Sequence, residues 1–320
     1  MIGRKPAAMA AARTATIPDG ADVAMTLNNA LTVTPDQTWV RPRDTELDLF
    51  GLTHVGRVRR ENQDHFMLCT VHPQVVVHGT SIPDADRLPL RGERLATYML
   101  VADGVGSGSG GGEASRLALA TITQYVATSF RSYHAAGQAS DQEFHDALTT
   151  AALEAHAAVR EEAERHPDTK MATTLTLAVA VFPWMYVTQV GDSRCYRYWD
   201  GELTQMTRDQ TIAQGLIDEG IWEASSAAKS PFSDILASAI GSDEAVPVVT
   251  RIEIPRGCVV LLATDGLTKH VEHEEIRQQV AAMTSSEQLC RSLLDLALER
   301  GGSDNITLIA ARAPLPATIP

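Results

Sequence analysis

The sequence is short of aromatic residues, of basic residues and of cysteine, and each shortage closes off a class of function. Aromatics make up 5% of the 320 residues, so the core has to be aliphatic. Lys and Arg number 27 against 40 Asp and Glu, a formal charge of −13. Broad nucleic-acid binding needs a basic surface, so no nucleic-acid partner is expected. The four cysteines, Cys69, Cys195, Cys258 and Cys290, form no C-x-x-C pair. That spacing speaks against zinc and against a disulfide framework, and fits reduced, buried thiols in a cytoplasmic protein. No apolar run approaches a membrane span, so no membrane partner is expected. Near the start, Arg4 and Lys5 precede "AAMAAARTAT", which is too weakly apolar for a secretory core segment.

What remains has the composition of an ordinary globular protein, 44% apolar and 21% charged. Residues 1–46 are rich in Ala, Thr and Pro without a sustained period, and read as a flexible or loosely docked extension. Residues 47–314 read as one domain and 315–320 as a tail. Residues 66–70 and "LATYMLVADG" look like strands, with 72–94 a loop or hairpin excursion between them. Helical spacing begins at Glu113, just after a run of glycines, and a second helix begins at Asp141, a plausible N-cap, and ends before Pro167. Strands follow in "TTLTLAVAVF", "WMYVTQVGDS" and "RCYRYWDG", the last closing on the hairpin signal Asp200-Gly201. "RDQTIAQGLIDEG" reads as a short helix stopped by Gly220, and 222–246 as an irregular polar stretch. Two strands in "RIEIPRGCVVLLATDGL", a helix in "SSEQLCRSLLDLALERGG" and a strand in "DNITLIAARA" complete the chain. Hairpin-joined strands with helices inserted between groups predict α+β architecture on antiparallel sheet.

Three apolar runs stop at an aspartate: "YMLVADG" at Asp103, "YVTQVGDS" at Asp192 and "VVLLATDG" at Asp265. Asp304 stands just before "NITLIAA", and Asp64 just before a strand in "RRENQDHF". One Asp-Gly after a strand is usually only a turn. Five acidic strand ends in one domain can converge, and converging carboxylates repel unless cations lie between them. Oxygen-only clusters suit Mg²⁺ or Mn²⁺. The run Gly106-Ser107-Gly108-Ser109-Gly110-Gly111 also satisfies G-x-G-x-x-G, the dinucleotide pattern. Against that, Asp103 would crowd a pyrophosphate, and helix rather than a strand end follows. The loop therefore reads as a turn at a metal site before it reads as a nucleotide cradle.

Taken in order, these segments resemble the metal-dependent, type 2C protein serine/threonine phosphatases in their bacterial form. "GRVRRENQD", "VADGVGSGSGGGEAS", "MATTLTLAV", "QVGDSRCYRY", "MTRDQTIAQGLIDEG", "SPFSDILASAIGS", "LLATDGL" and "GGSDNITLIAA" follow the family's motif order from about Leu49 to Arg312. The resemblance implies a four-layer α-β-β-α sandwich, two central antiparallel sheets flanked by helices, with a binuclear metal site at one end and a flap at about 209–246. It implies that Asp103 bridges two Mn²⁺ or Mg²⁺ ions, with the Gly104 carbonyl, Asp265 and Asp304 as further ligands. Asp64 would act through metal-held water, and Asp192 with Asp265 would hold a third ion. Arg59, five residues before Asp64, matches the phosphate-binding arginine; Arg57 and Arg60 are its neighbours. A metal-bridging hydroxide would attack phosphorus in line, with no phosphoenzyme.

The chain departs from the family in places. Ser107-Gly108 stands where bacterial members often have histidine, Val105 where eukaryotic relatives place a candidate general acid, and Ala172 where the T-T strand usually has glycine. His270 and His273, after the Asp265 strand, read as decoration at a helix start. The implied partners are phosphorylated proteins, those of a eukaryotic-like Ser/Thr kinase and the kinase itself, and the expected state is a monomer. The rival readings are a catalytically silent phosphatase-like binding module and a glycine-loop nucleotide enzyme.

Overall fold

The computed structural model describes residues 37–84, 87–105, 109–135, 140–223 and 234–315. Strands β1 (Asp48–His54), β12 (Ile306–Arg312), β11 (Val259–Ala263), β8 (Arg194–Trp199) and β9 (Glu202–Gln205) lie side by side in that order in one sheet. A second sheet has the order β10 (Val248–Glu253), β7 (Trp184–Val190), β6 (Leu175–Val181), β3 (Ala96–Ala102) and β2 (His65–Val71). The pairings are antiparallel, including a short ribbon of β4 (Gly104–Val105) with β5 (Ala172–Thr173).

The central strands β3, β6 and β11 read as near-continuous apolar runs because both of their faces are covered. On β3, Tyr98 and Leu100 face helices α1 (Gly110–Ala135) and α2 (Asp141–Arg165), while Met99 and Val101 face the other sheet. On β11, Val260 and Leu262 point inward, and Val259, Leu261 and Ala263 face the opposite helical layer. That layer comprises α4 (Asp265–Thr268), α5 (His273–Ala281) and α6 (Ser286–Glu299). The period-two alternation thus builds three apolar layers between four layers of structure, the expected α-β-β-α sandwich. The short α3 (Ile212–Asp218) is capped by Thr211 and followed by Gly220 at positive φ.

Several local expectations change. Helix α1 begins at Gly110, not Glu113, so the last three glycines form its first turn. The N-cap of α2 is Ser140: its hydroxyl accepts from the Glu143 amide, and the Ser140 amide donates in return to the Glu143 carboxylate at 2.6 Å. Asp141 is committed elsewhere, to the Tyr186 hydroxyl and to Arg251, and so ties α2 to the second sheet. The excursion at 72–94 is pinned at its base by a bridge between Gln74 and Arg91. Residues 37–46, read as part of the extension, are tied to the body. Arg94 donates to Asp44 at 2.7 Å, Arg256 pairs with Glu46 at 3.1 Å, and the Arg256 amide donates to the Thr38 carbonyl. Residues 1–36, Gly106 to Gly108, 224–233 of the flap and 316–320 of the tail lie outside the described residues.

Candidate metal centre

β3, β7 and β11 end at the same edge of the sandwich, and β2 and β12 begin there. Asp103, Asp192 and Asp265 therefore leave strand ends, and Asp64 and Asp304 approach strand starts, at one place. The two halves of the cluster are stitched by Asn305. Its side-chain amide donates to the carbonyls of Val55 and Glu61 at 2.9 and 3.0 Å, and its Oδ1 accepts from the Gln63 amide at 2.8 Å. The loop bearing Arg59 is thereby fixed to the Asp304 turn. Asp103 is held by its backbone: its amide donates to Thr174 Oγ1, and its carbonyl accepts from the Thr173 hydroxyl and the Thr174 amide. Its carboxylate is left for other work.

Close backbone packing sets the remaining geometry. A Cβ on Gly104 would lie 2.4 Å from the Gly111 carbonyl, and one on Gly266 would lie 1.9 Å from the Asn305 carbonyl. The glycines at 104 and 111 thus let α1 abut the Asp103 turn, and Gly266 lets α4 abut the Asp304–Asn305 turn.

The electrostatics are those of carboxylates crowded out of water. Burial, then the charges of Asp64, Asp265, Asp192 and Asp304, push Asp103 well above the usual carboxylate range. Burial and the Asp265 and Asp304 charges raise Asp64 to about 7, against hydrogen bonds from Thr307 and Thr264 that favour its ionised form. Burial, Asp265 and Asp209 raise Asp192 to about 7. Asp304 behaves oppositely. Burial would raise it, but hydrogen bonds from Arg59 and Lys269 outweigh that and hold it below its ordinary value. Arg59 grips both Asp304 oxygens at 2.8 Å, a two-point charge-assisted pair. Among the described residues Arg57 and Arg60 make no such contact; the Arg57 amide donates to the Gly302 carbonyl.

The donor set suits a hard divalent cation. It is all oxygen, it carries excess negative charge, and Oδ1 of Asp64 and Oδ1 of Asp265 are buried without a hydrogen-bond partner. Buried carboxylate oxygens in that state are costly unless a cation joins them. Among the described residues, no three His, Cys, Asp or Glu side chains stand in a ready ligand arrangement. Protein cations hold the carboxylates instead: Lys269 Nζ lies 2.6 Å from Asp265 Oδ2 and 2.7 Å from Asp304 Oδ2.

Several further residues take roles that only the fold reveals. Lys269 was legible only as the i+4 neighbour of Asp265 on a helical turn. Thr264 and Thr307 stand at facing ends of β11 and β12 and both donate to Asp64 Oδ2. Arg194 of "GDSR" grips Asp209 through three bonds and so ties β8 to the start of the flap region. His270, read as decoration, accepts at Nε2 from the Ser303 amide, 2.9 Å, and so braces the turn before Asp304. His273 lies farther off, against the Leu203 carbonyl and the Tyr196 ring.

Comparison with known proteins identifies the family of the chain. A family model described as protein phosphatase 2C matches residues 79–299, more than half the chain. That span includes Asp103, Asp192 and Asp265; Arg59, Asp64 and Asp304 join them only in space. The serine/threonine protein phosphatase PstP of Mycobacterium tuberculosis is 32% identical over 217 residues, 68% of this chain. The match spans 40% of that relative's own length. The serine/threonine phosphatase stp of Listeria monocytogenes is 26% identical over 265 residues, covering 82% of this chain and 94% of the relative. A crystal structure of the PstP catalytic domain in complex with two manganese ions superposes with a TM-score of 0.65 at 26% identity, covering 84% of this chain and 98% of that one.

Proposed function

From the premise that the chain belongs to the protein phosphatase 2C family, we propose that it is a metal-dependent protein serine/threonine phosphatase. The observation that carries this reading is the convergence of Asp64, Asp103, Asp192, Asp265 and Asp304 at one edge of the sandwich, with two buried carboxylate oxygens left unpartnered. A silent binding module would have no use for so costly a cluster.

In this reading Asp103, Asp265, Asp304 and the Gly104 carbonyl would hold two divalent ions, Mn²⁺ or Mg²⁺, Asp64 would act through water, and Asp192 with Asp265 would serve a third. When bound, such ions supply Lewis acidity toward water and phosphoryl oxygen. The protein's own groups do the rest. Thr264 and Thr307 fix the rotamer of Asp64 by bonding one oxygen and leaving the other free. Arg59, exposed on its outer side, offers a planar two-pronged donor to the phosphoryl oxygens. Water oxygen forms the new bond to phosphorus as the bond to the Ser or Thr oxygen breaks. The products are orthophosphate and the free hydroxyl. The substrates proposed are phosphoproteins of a eukaryotic-like Ser/Thr kinase and the kinase itself, met by a cytoplasmic monomer.

The test is release of phosphate from an aryl phosphate and from a phosphothreonine peptide, with and without Mn²⁺, by the wild type and by Asp103→Ala and Asp265→Ala. Metal-dependent turnover abolished in both variants supports the reading. A wild type silent with every divalent ion sinks it.

A further inference from the structure

We propose that Lys269 is a resident cation of the metal centre: its ammonium occupies the Asp265–Asp304 position until a divalent ion displaces it, and so sets how tightly the centre loads. The proposal rests on the metal-centre reading above and concerns a residue that the reading does not use.

The oxygens of Asp304 are fully committed. Oδ1 receives the Asn305 amide and Arg59 Nε, and Oδ2 receives an Arg59 Nη and Lys269 Nζ. A metal ion taking Asp304 has to remove one of these donors. The Asn305 amide is fixed by the start of β12. Arg59 holds both oxygens at once, so its release costs two bonds. Lys269 gives one bond to Asp304 and one to Asp265 through a flexible four-carbon stem, and its side chain is 26% exposed. A divalent ion taking both carboxylates replaces both of its bonds at once, and the stem lets the ammonium swing to water.

Asp265 shows the same division. Its Oδ2 is taken by Lys269 and its Oδ1 is buried and free. The ammonium therefore blocks one oxygen on each of two carboxylates assigned to the metal pair. A single positive charge held there also offsets part of the repulsion among the five carboxylates, and Asp192 feels it as well. The same side chain thus supports the metal-free fold and opposes metal entry.

Isothermal titration of Mn²⁺ into the EDTA-stripped full chain tests this, with wild type, Lys269→Met and Lys269→Arg. Lys269→Met is expected to bind its weaker Mn²⁺ at least tenfold more tightly than wild type. Lys269→Arg, which keeps a charge able to span both carboxylates, is expected to stay within a few-fold of wild type. Thermal unfolding gives a second readout. Without metal, Lys269→Met melts below wild type, and saturating Mn²⁺ closes or reverses the gap. Equal or weaker Mn²⁺ binding by Lys269→Met, with wild type binding normally, overturns the Lys269 proposal and leaves the metal centre standing. Failure of all three proteins to bind Mn²⁺ overturns the metal centre itself.

Discussion

Thr307 donates its hydroxyl to Asp64 Oδ2 at 2.7 Å, joining residues 243 positions apart at the buried edge of the sandwich. A hydroxyl has one proton, so Thr307 must accept from Thr53, 2.8 Å away, and Thr53 in turn accepts from the Asn62 amide. A relay from the Arg59 loop thus ends on the carboxylate.

That relay does not offset burial, and Asp64 is raised from 3.8 to about 7. In the metal-free protein the folded state therefore holds this proton where the unfolded state has lost it. The associated stability is fully present below about pH 4 and disappears as pH rises through about 7. Asp64→Asn, neutral throughout, removes the dependence. Urea denaturation in EDTA should show Asp64→Asn gaining on wild type by roughly 3 kcal/mol between pH 5 and pH 8. A difference that stays flat with pH would mean that Asp64 is ionised at little cost.

Arg59 is gripped by Asp304 at both oxygens, yet its outer side is exposed. Its geometry is that of a two-point donor pre-set for an anion. Arg59→Lys keeps the charge and loses the fork, so kcat/KM for a phosphothreonine peptide should fall by roughly tenfold or more. Inhibition by inorganic phosphate should weaken in parallel. If Arg59→Lys keeps wild-type kcat/KM while Arg60→Lys loses it, the phosphate contact belongs to Arg60.

Much of this site was legible because aspartates that interrupt apolar strands leave a mark in a linear sequence. Asp103, Asp192 and Asp265 each end such a run, and Asp304 precedes one. What was not legible depends on packing between distant segments. Strand β1 escaped because Gly51 interrupts its pattern, and its missing side chain is replaced by the Phe66 ring. Helix α5 showed only its start, near His273, because only Ile276 and Val280 of its nine residues are buried. Asp141 looked like a cap, but Ser140 could cap and Asp141 had better partners in Tyr186 and Arg251. Lys269 and Thr307 carry no motif signal of their own; their roles exist only once β11 and β12 are paired.

Gly104 and Gly111 touch backbone to backbone. Alanine at either position places a Cβ within 3 Å of a carbonyl carbon and oxygen that cannot rotate away. Gly104→Ala and Gly111→Ala should each lose roughly 1–3 kcal/mol in urea melts, with activity falling further because Asp103 is the next residue to move. Gly215, inside α3 with nothing within 4 Å of a new Cβ, is the opposite case. Gly215→Ala should gain about 0.5–1 kcal/mol. Matching losses at all three positions would show that the Gly104–Gly111 contact is not what α1 needs.

Arg94 lies two residues before β3, and Asp103 follows that strand, so the two sit about 30 Å apart along it. Arg94 is 7% exposed and spends Nη1 on Asp44 and Nη2 on the Pro42 carbonyl. Asp44→Ala leaves a buried guanidinium with its charge unpaired, which should cost roughly 1–3 kcal/mol in urea denaturation. Adding Arg94→Met removes the orphaned charge, so the double variant should recover part of that loss. Neither variant should change kcat/KM at temperatures where it is folded, since the break lies at the far end of the sandwich. A double variant no more stable than Asp44→Ala alone would show that the pair does not hold residues 37–46 in place.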